Sequence, residues 1–132
     1  MDSLIARLEE ATEGDREMDA LVWLALGEEI PPATQAKWDA PIPLHEYARI
    51  SVDATTSRQF TRNLAAAARA VPKDRKGGWY WRVGHATEWP GWAHLYRYHP
   101  NHCDAEDEIT VHAATPELAL TIAALKARES HR

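Results

Sequence analysis

Apolar residues at the start of the chain recur with a helical period. Leu4, Ile5, Leu8 and Ala11 fall on one helical face, with Ser3 standing where an N-cap belongs. Gly14 supplies the left-handed residue that commonly ends such a helix. Asp15 caps a second helix, whose stripe is Met18, Leu21, Val22 and Ala25 and which Gly27 ends. Prolines then crowd the chain. Pro31, Pro32, Pro41 and Pro43 argue against a long helix over residues 28–57, which reads as an irregular, proline-rich excursion with a short strand at Arg49–Val52. A third helix is expected from Ser57 to Val71, with Phe60, Leu64, Ala67 and Val71 on its apolar face and Pro72 beyond its end.

Past the loop Lys73–Gly78 the period changes from 3.6 to 2. One strand runs from Trp79 to Ala86, placing Trp79, Trp81, Val83 and His85 on one face and Tyr80, Arg82 and Gly84 on the other. Pro90-Gly91 marks a turn. The return strand, Trp92–His99, divides into Trp92, His94, Tyr96 and Tyr98 against Ala93, Leu95, Arg97 and His99. An acidic loop, Asp104–Glu108, leads to a third strand at Ile109–Ala113. A final helix opens on Thr115 as N-cap, Pro116 at its first position and Glu117 at the positive end of its dipole, with Leu118, Ile122 and Leu125 facing the core.

The order α-α-(irregular)-α-β-β-β-α, with hairpin-linked strands, predicts an α+β fold. Its sheet is antiparallel, with three strands, or four if Arg49–Val52 joins it. Both faces of the first hairpin carry aromatic or apolar residues, so helices are expected on both sides of the sheet. At 132 residues with 45% hydrophobic composition, the whole chain is expected to form a single domain with a real core. The lone Cys103 permits no intramolecular disulfide, which fits a reducing cytosol. The charged, amphipathic first residues do not read as a signal peptide. No apolar run of roughly 18 residues is present to span a membrane. A cytoplasmic protein is therefore expected.

The net charge of −5 is unevenly spread. Residues 1–57 carry 12 acidic and 4 basic side chains, residues 83–132 carry 7 and 4, and residues 58–82 carry 1 and 7. This basic window runs straight into the aromatic hairpin. Arg58, Arg62 and Arg69 lie on the polar side of the expected third helix, with Lys73, Arg75 and Lys76 just beyond. Guanidinium forks suit phosphate, and tyrosines suit the stacking of a base. Arg58, Arg62, Arg69, Lys73, Tyr80, Arg82, Tyr96 and Arg97 are accordingly the candidate ligand-binding residues. The plainer readings are a solvated helix face for the arginines and core filling for Trp79 and Trp81.

His94, His99, His102, Cys103, Asp104 and Glu106 match no ligand spacing of an established metal site. No nucleophile motif or phosphate-cradling glycine loop is present, so neither an enzyme, a metal nor a cofactor is expected.

The opening Leu4-Ile5-Ala6-Arg7-Leu8-Glu9-Glu10-Ala11 followed by Asp15-Arg16-Glu17-Met18-Asp19, the strand residues Trp79, Trp81, Arg82, Val83 and Gly84, and the closing stretch from Ala114 to Leu125 carry a resemblance. They resemble the phage ABA-sandwich domain proteins of alphaproteobacterial viruses and prophages. The resemblance covers about two thirds of the chain, and residues 28–57 are longer than that family's pattern. It implies a phage origin and a helix–sheet–helix layering, with no catalytic residues to transfer. By analogy, such a protein counters host defence as a sponge for a nucleotide-type signalling ligand, and a homo-oligomer is expected. The alternative is a protein–protein inhibitor or adaptor using residues 28–57, with Trp38 and Tyr47 as its contacts. From residue 58 onward the order also resembles the double-stranded RNA-binding domain in topology, but acidic flanks argue against a nucleic-acid duplex.

Overall fold

The computed structural model describes residues 2–73, 79–98 and 105–130. Along the chain these form α1 (Asp2–Glu10), α2 (Arg16–Ala25), α3 (Pro32–Gln35), α4 (Leu44–Ala54), a 3-10 turn (Thr56–Arg58) and α5 (Leu64–Ala70). Then come β1 (Tyr80–Gly84), β2 (Gly91–Tyr98), β3 (Ala105–Ala113) and α6 (Pro116–Ser130). The fold is α+β, with an antiparallel three-stranded sheet in the order β1-β2-β3. Arg75, Lys76, His99, His102, Cys103 and Asp104 lie outside the described residues.

α6 organises the rest. Thr115 Oγ1 accepts the Leu118 N–H at 3.1 Å, closing the expected N-cap, with Pro116 as the first helical residue. Every side chain from Leu118 to Leu125 is buried, so this helix is surrounded on all sides. One side lies on the sheet, and the others meet α5 and α1. Alanines 119, 123, 124 and 127 keep it slim enough for these layers to close around it.

The sheet register pairs Trp81 with Leu95 and Val83 with Ala93, then Ala93 with Val111 and Leu95 with Ile109. Ala93, Leu95 and Val111 are buried under α6. The strand faces thus divide as the alternation requires. Coverage is one-sided, however, and this corrects the expectation of helices on both sides. α6 packs on the inner face, α1 and α5 lie behind α6, and the outer-face side chains of Tyr80, Arg82, Thr110 and His112 are exposed. Trp79 fills the core as expected, whereas Trp81, on the edge strand, is 40% exposed.

Residues 28–57 are not an irregular excursion. They hold α3 and α4, and Arg49–Val52 is helical, leaving three strands in the sheet. Pro32 opens α3 and Pro43 immediately precedes α4, the positions where a missing N–H costs nothing. Tyr47, Ala48, Ser51 and Val52 recur at helical spacing and turn α4 onto α2, where Trp23 and Tyr47 meet at 5.7 Å. An exposed set of ion pairs ties the same two helices together. Arg16 Nε lies 2.8 Å from Asp53, and Glu17 accepts from Arg49 Nε at 2.9 Å and meets His45 Nε2 at 3.0 Å.

The expected helix over Ser57–Val71 is broken. Thr55 caps the 3-10 turn, and Asn63 caps α5 by accepting the Ala66 N–H at 3.1 Å. Between them the chain is drawn inward by polar bonds. Buried Asp19 of α2 accepts from the Thr61 N–H at 2.7 Å, from Thr61 Oγ1 at 2.5 Å and from Arg62 Nε at 2.7 Å. Phe60 gives its carbonyl to Thr121 of α6 at 2.7 Å. Leu64 becomes the exposed first residue of α5 instead of part of the apolar face.

Two further expectations change in detail. α1 begins at Asp2, so Ser3 lies inside it, and Gly14 is not left-handed. Gly14 is required by close approach instead, since a Cβ there would sit 1.9 Å from the Thr61 carbonyl oxygen. Gly27, with φ of 76°, does end α2 as expected. The stretch Ala105–Glu108, read as an acidic loop, is strand, because β3 continues pairing up to Tyr98.

Candidate functional site

Five of the eight residues expected to form one site lie in two places. The sheet stands between them.

The first place is the outer face of the sheet. Its register sets three cross-strand rows: Tyr80–Tyr96–Glu108, Arg82–His94–Thr110 and Gly84–Trp92–His112. Tyr80 and Tyr96 stack with centroids 5.6 Å apart and planes 17° from parallel. His94 adds a third ring 5.1 Å from Tyr96, and the Arg82 guanidinium lies 5.3 Å from the centre of the Tyr96 ring. Trp92 reaches across β1, where a Cβ on Gly84 would come within 2.9 Å of its indole. Trp89, from the turn, stacks on His112 at 4.8 Å and 8°. Six rings and one guanidinium therefore cover a face that no helix shields. Among the described side chains of the three rows, Arg82 and Glu108 carry the fixed charges.

The second place is a polar cavity of about 160 Å³ behind the helices, whose walls include Arg58, Arg69, Arg128, Ser57 and Glu28. Arg58 closes the 3-10 turn and donates Nη1 to Ser51 Oγ. Arg69 comes from the last turn of α5. Arg128, near the end of α6, donates Nε to the Ala70 carbonyl at 2.7 Å. Burial lowers the Arg128 pKa from its usual value, and the Glu28 carboxylate opposes that shift. An arginine stays charged against such a shift.

The remaining candidates belong to neither group. Arg62 is committed to Asp19, because the broken helix turns it toward α2. Lys73 is exposed beyond α5 and is not part of the cavity wall. Arg97 lies on the inner face of the sheet, where its guanidinium sits 5.3 Å from the centre of the Trp79 ring, so strand alternation separates it from Arg82 and Tyr96. Sequence reasoning did not select Trp89, Trp92, His94 and His112 for the site, although the period-2 pattern had already put Trp92 and His94 beside Tyr96. Arg128 gave no signal beyond a cation suited to a helix end.

Among the described residues, no group of three or more His, Cys, Asp or Glu side chains is placed to hold a metal, and no helix is long and apolar enough to cross a membrane. The chain matches no protein-family model, no curated protein and no solved structure.

Proposed function

We propose that this chain is a non-enzymatic binding protein for a nucleotide-type anionic ligand, taken on the open face of the sheet. The observation that carries the reading is the ring cluster centred on Tyr96, flanked by Tyr80, His94 and Arg82. Stacking on such rings contributes about 1–3 kcal/mol per base. Arg82 supplies a fork for one phosphate beside the stack. A flat face grips a small molecule on one side only. Pairing two copies face to face would enclose it, and a homo-oligomer is part of the proposal. In a bacterial virus, as the family resemblance implies, the protein would act as a cytoplasmic sponge for a host nucleotide signal.

Titration of the tryptophan fluorescence with adenosine monophosphate, ADP-ribose and a cyclic dinucleotide tests this. At least one of them should quench saturably. Tyr96→Ala, together with Arg82→Ala, should weaken that ligand by about tenfold or more. Native mass spectrometry of the same sample should show a dimer or higher state. A quench that is unchanged in both variants would remove the sheet face from the reading.

A second reading, that of a protein–protein inhibitor or adaptor, is favoured by apolar side chains left in water over residues 28–57. Trp38 is 60% exposed, Ile50 57% and Leu44 46%. Deleting residues 30–46 would remove the first turn of α4, so the test is Trp38→Ala with Ile50→Ser. Loss of a partner captured by the wild type, with the fold retained, supports the adaptor. An unchanged capture removes this surface.

A further inference from the structure

The arginine cavity stands apart from the sheet-face reading and does not depend on it. Three guanidinium groups share its walls with a single carboxylate, Glu28, in a chain whose overall charge is negative. Like charges brought together on a partly buried surface repel one another unless an anion joins them. Each is held by a different element, and two are fixed in orientation by hydrogen bonds, Arg58 to Ser51 Oγ and Arg128 to the Ala70 carbonyl. Each of those bonds uses one of the five donors that a guanidinium carries. Arg69 makes no side-chain hydrogen bond or ion pair among the described residues. Leu26 and buried Phe60 are the apolar members of an otherwise polar wall. At about 160 Å³ the space is well below the ~300–1,000 Å³ of pockets that enclose whole small molecules. It suits a single tetrahedral oxyanion.

We propose that the cavity between the 3-10 turn, α5 and α6 binds a phosphate group through Arg58, Arg69 and Arg128, with the Ser57 hydroxyl as a further donor. The group is either free inorganic phosphate or the phosphoryl end of a larger molecule. Planar forks arriving from three elements match the several oxygens of a phosphate better than point charges would. Glu28 places one negative charge near Arg128, which limits the charge the site tolerates.

Calorimetric titration of the full chain at fixed ionic strength, with inorganic phosphate, pyrophosphate and adenosine monophosphate in separate runs, tests the site. The wild type should bind phosphate saturably. Arg69→Ala, at an exposed position, should keep the native circular dichroism and weaken phosphate by roughly tenfold or more. Arg69→Lys should recover part of the loss, and Tyr80→Ala should bind phosphate as the wild type does. Equal affinity for the three probes assigns the site to the free ion; tighter binding of pyrophosphate or the nucleotide that Arg69→Ala weakens assigns it to the end of a larger molecule. Absence of saturable binding by any probe, or an affinity unchanged in Arg69→Ala, overturns the proposal. The Tyr80 variant keeps this outcome separate from the fate of the sheet-face reading.

Discussion

Thr61 is the residue at which three parts of the chain meet. Its N–H and hydroxyl both go to Asp19, its hydroxyl oxygen also lies 3.1 Å from the donating Asp15 N–H, and its carbonyl presses on the space a side chain at Gly14 would need. Asp19 has no solvent exposure, yet three donors surround it, which is the condition under which a buried carboxylate is tolerated. Asp19→Ala should cost about 3 kcal/mol, read as a shift of the urea midpoint, because the Thr61 N–H is left buried without an acceptor. A loss below about 0.5 kcal/mol would show that water replaces the carboxylate. This arrangement was legible in part. Asp19 stands on the same helical face as Val22 and Trp23, where an acid is out of place, but a partner in residues 61–62 lies more than forty positions away. Local pattern carries no information about a contact of that separation. That is why Arg62 read as a ligand contact and not as the partner of a buried acid.

Among the elements, α4 shows how tertiary packing overrides punctuation. Its four preceding prolines are genuine helix breakers, and each stands outside a helix interior. The apolar spacing of Tyr47, Ala48, Ser51 and Val52 was present in the sequence, but the prolines hid it. The strands and α6 were legible because two independent signals agreed at each, alternation with turn residues in the hairpin and a cap with helical spacing in α6. The split between the 3-10 turn and α5 was hidden, since the helical spacing of Phe60, Leu64, Ala67 and Val71 runs straight across a break imposed by the bonds from Asp19 of α2, although Asn63 offered a cap signal.

The clamp between α2 and α4 also carries a pH dependence. Hydrogen bonding to Arg49, against a smaller burial penalty, and the nearby His45 hold the Glu17 pKa below its ordinary value of 4.5. A carboxylate with a depressed folded pKa stabilises fully above its unfolded value, and the contribution disappears as pH falls through the folded one. Glu17→Gln should therefore lose stability at neutral pH, by at most about 1 kcal/mol for so exposed a pair. The gap to wild type should narrow as pH falls below 4.5 and through the folded pKa, where Glu17 takes up its proton. Urea midpoints followed from neutral to acidic pH check this, and a gap that stays constant would assign the effect to packing.

At the scale of the whole molecule, the one-sided sheet decides what the two candidate surfaces can do together. The aromatic face and the arginine cavity lie on opposite sides of the sheet–α6 layer, so a single small ligand does not span them. The sequence placed charge beside aromatics because they are neighbours along the chain. Strand alternation and the break before α5 then sent them apart. Among the described residues, the stacking groups and the cavity arginines thus lie on different surfaces, one flat and open, the other small.

The wrapping of α6 has a consequence for how the protein is made. Every element that this helix touches precedes it in the chain. A ribosome that has released the strands has exposed the apolar side of Ala93, Leu95 and Val111 to water before α6 is there to cover it. The segment from Pro116 onward must emerge before that side can be sealed, so the nascent chain passes through a sticky stage between the release of the strands and that of α6. Chaperone holding during that interval would then bear on how much of the protein a cell accumulates.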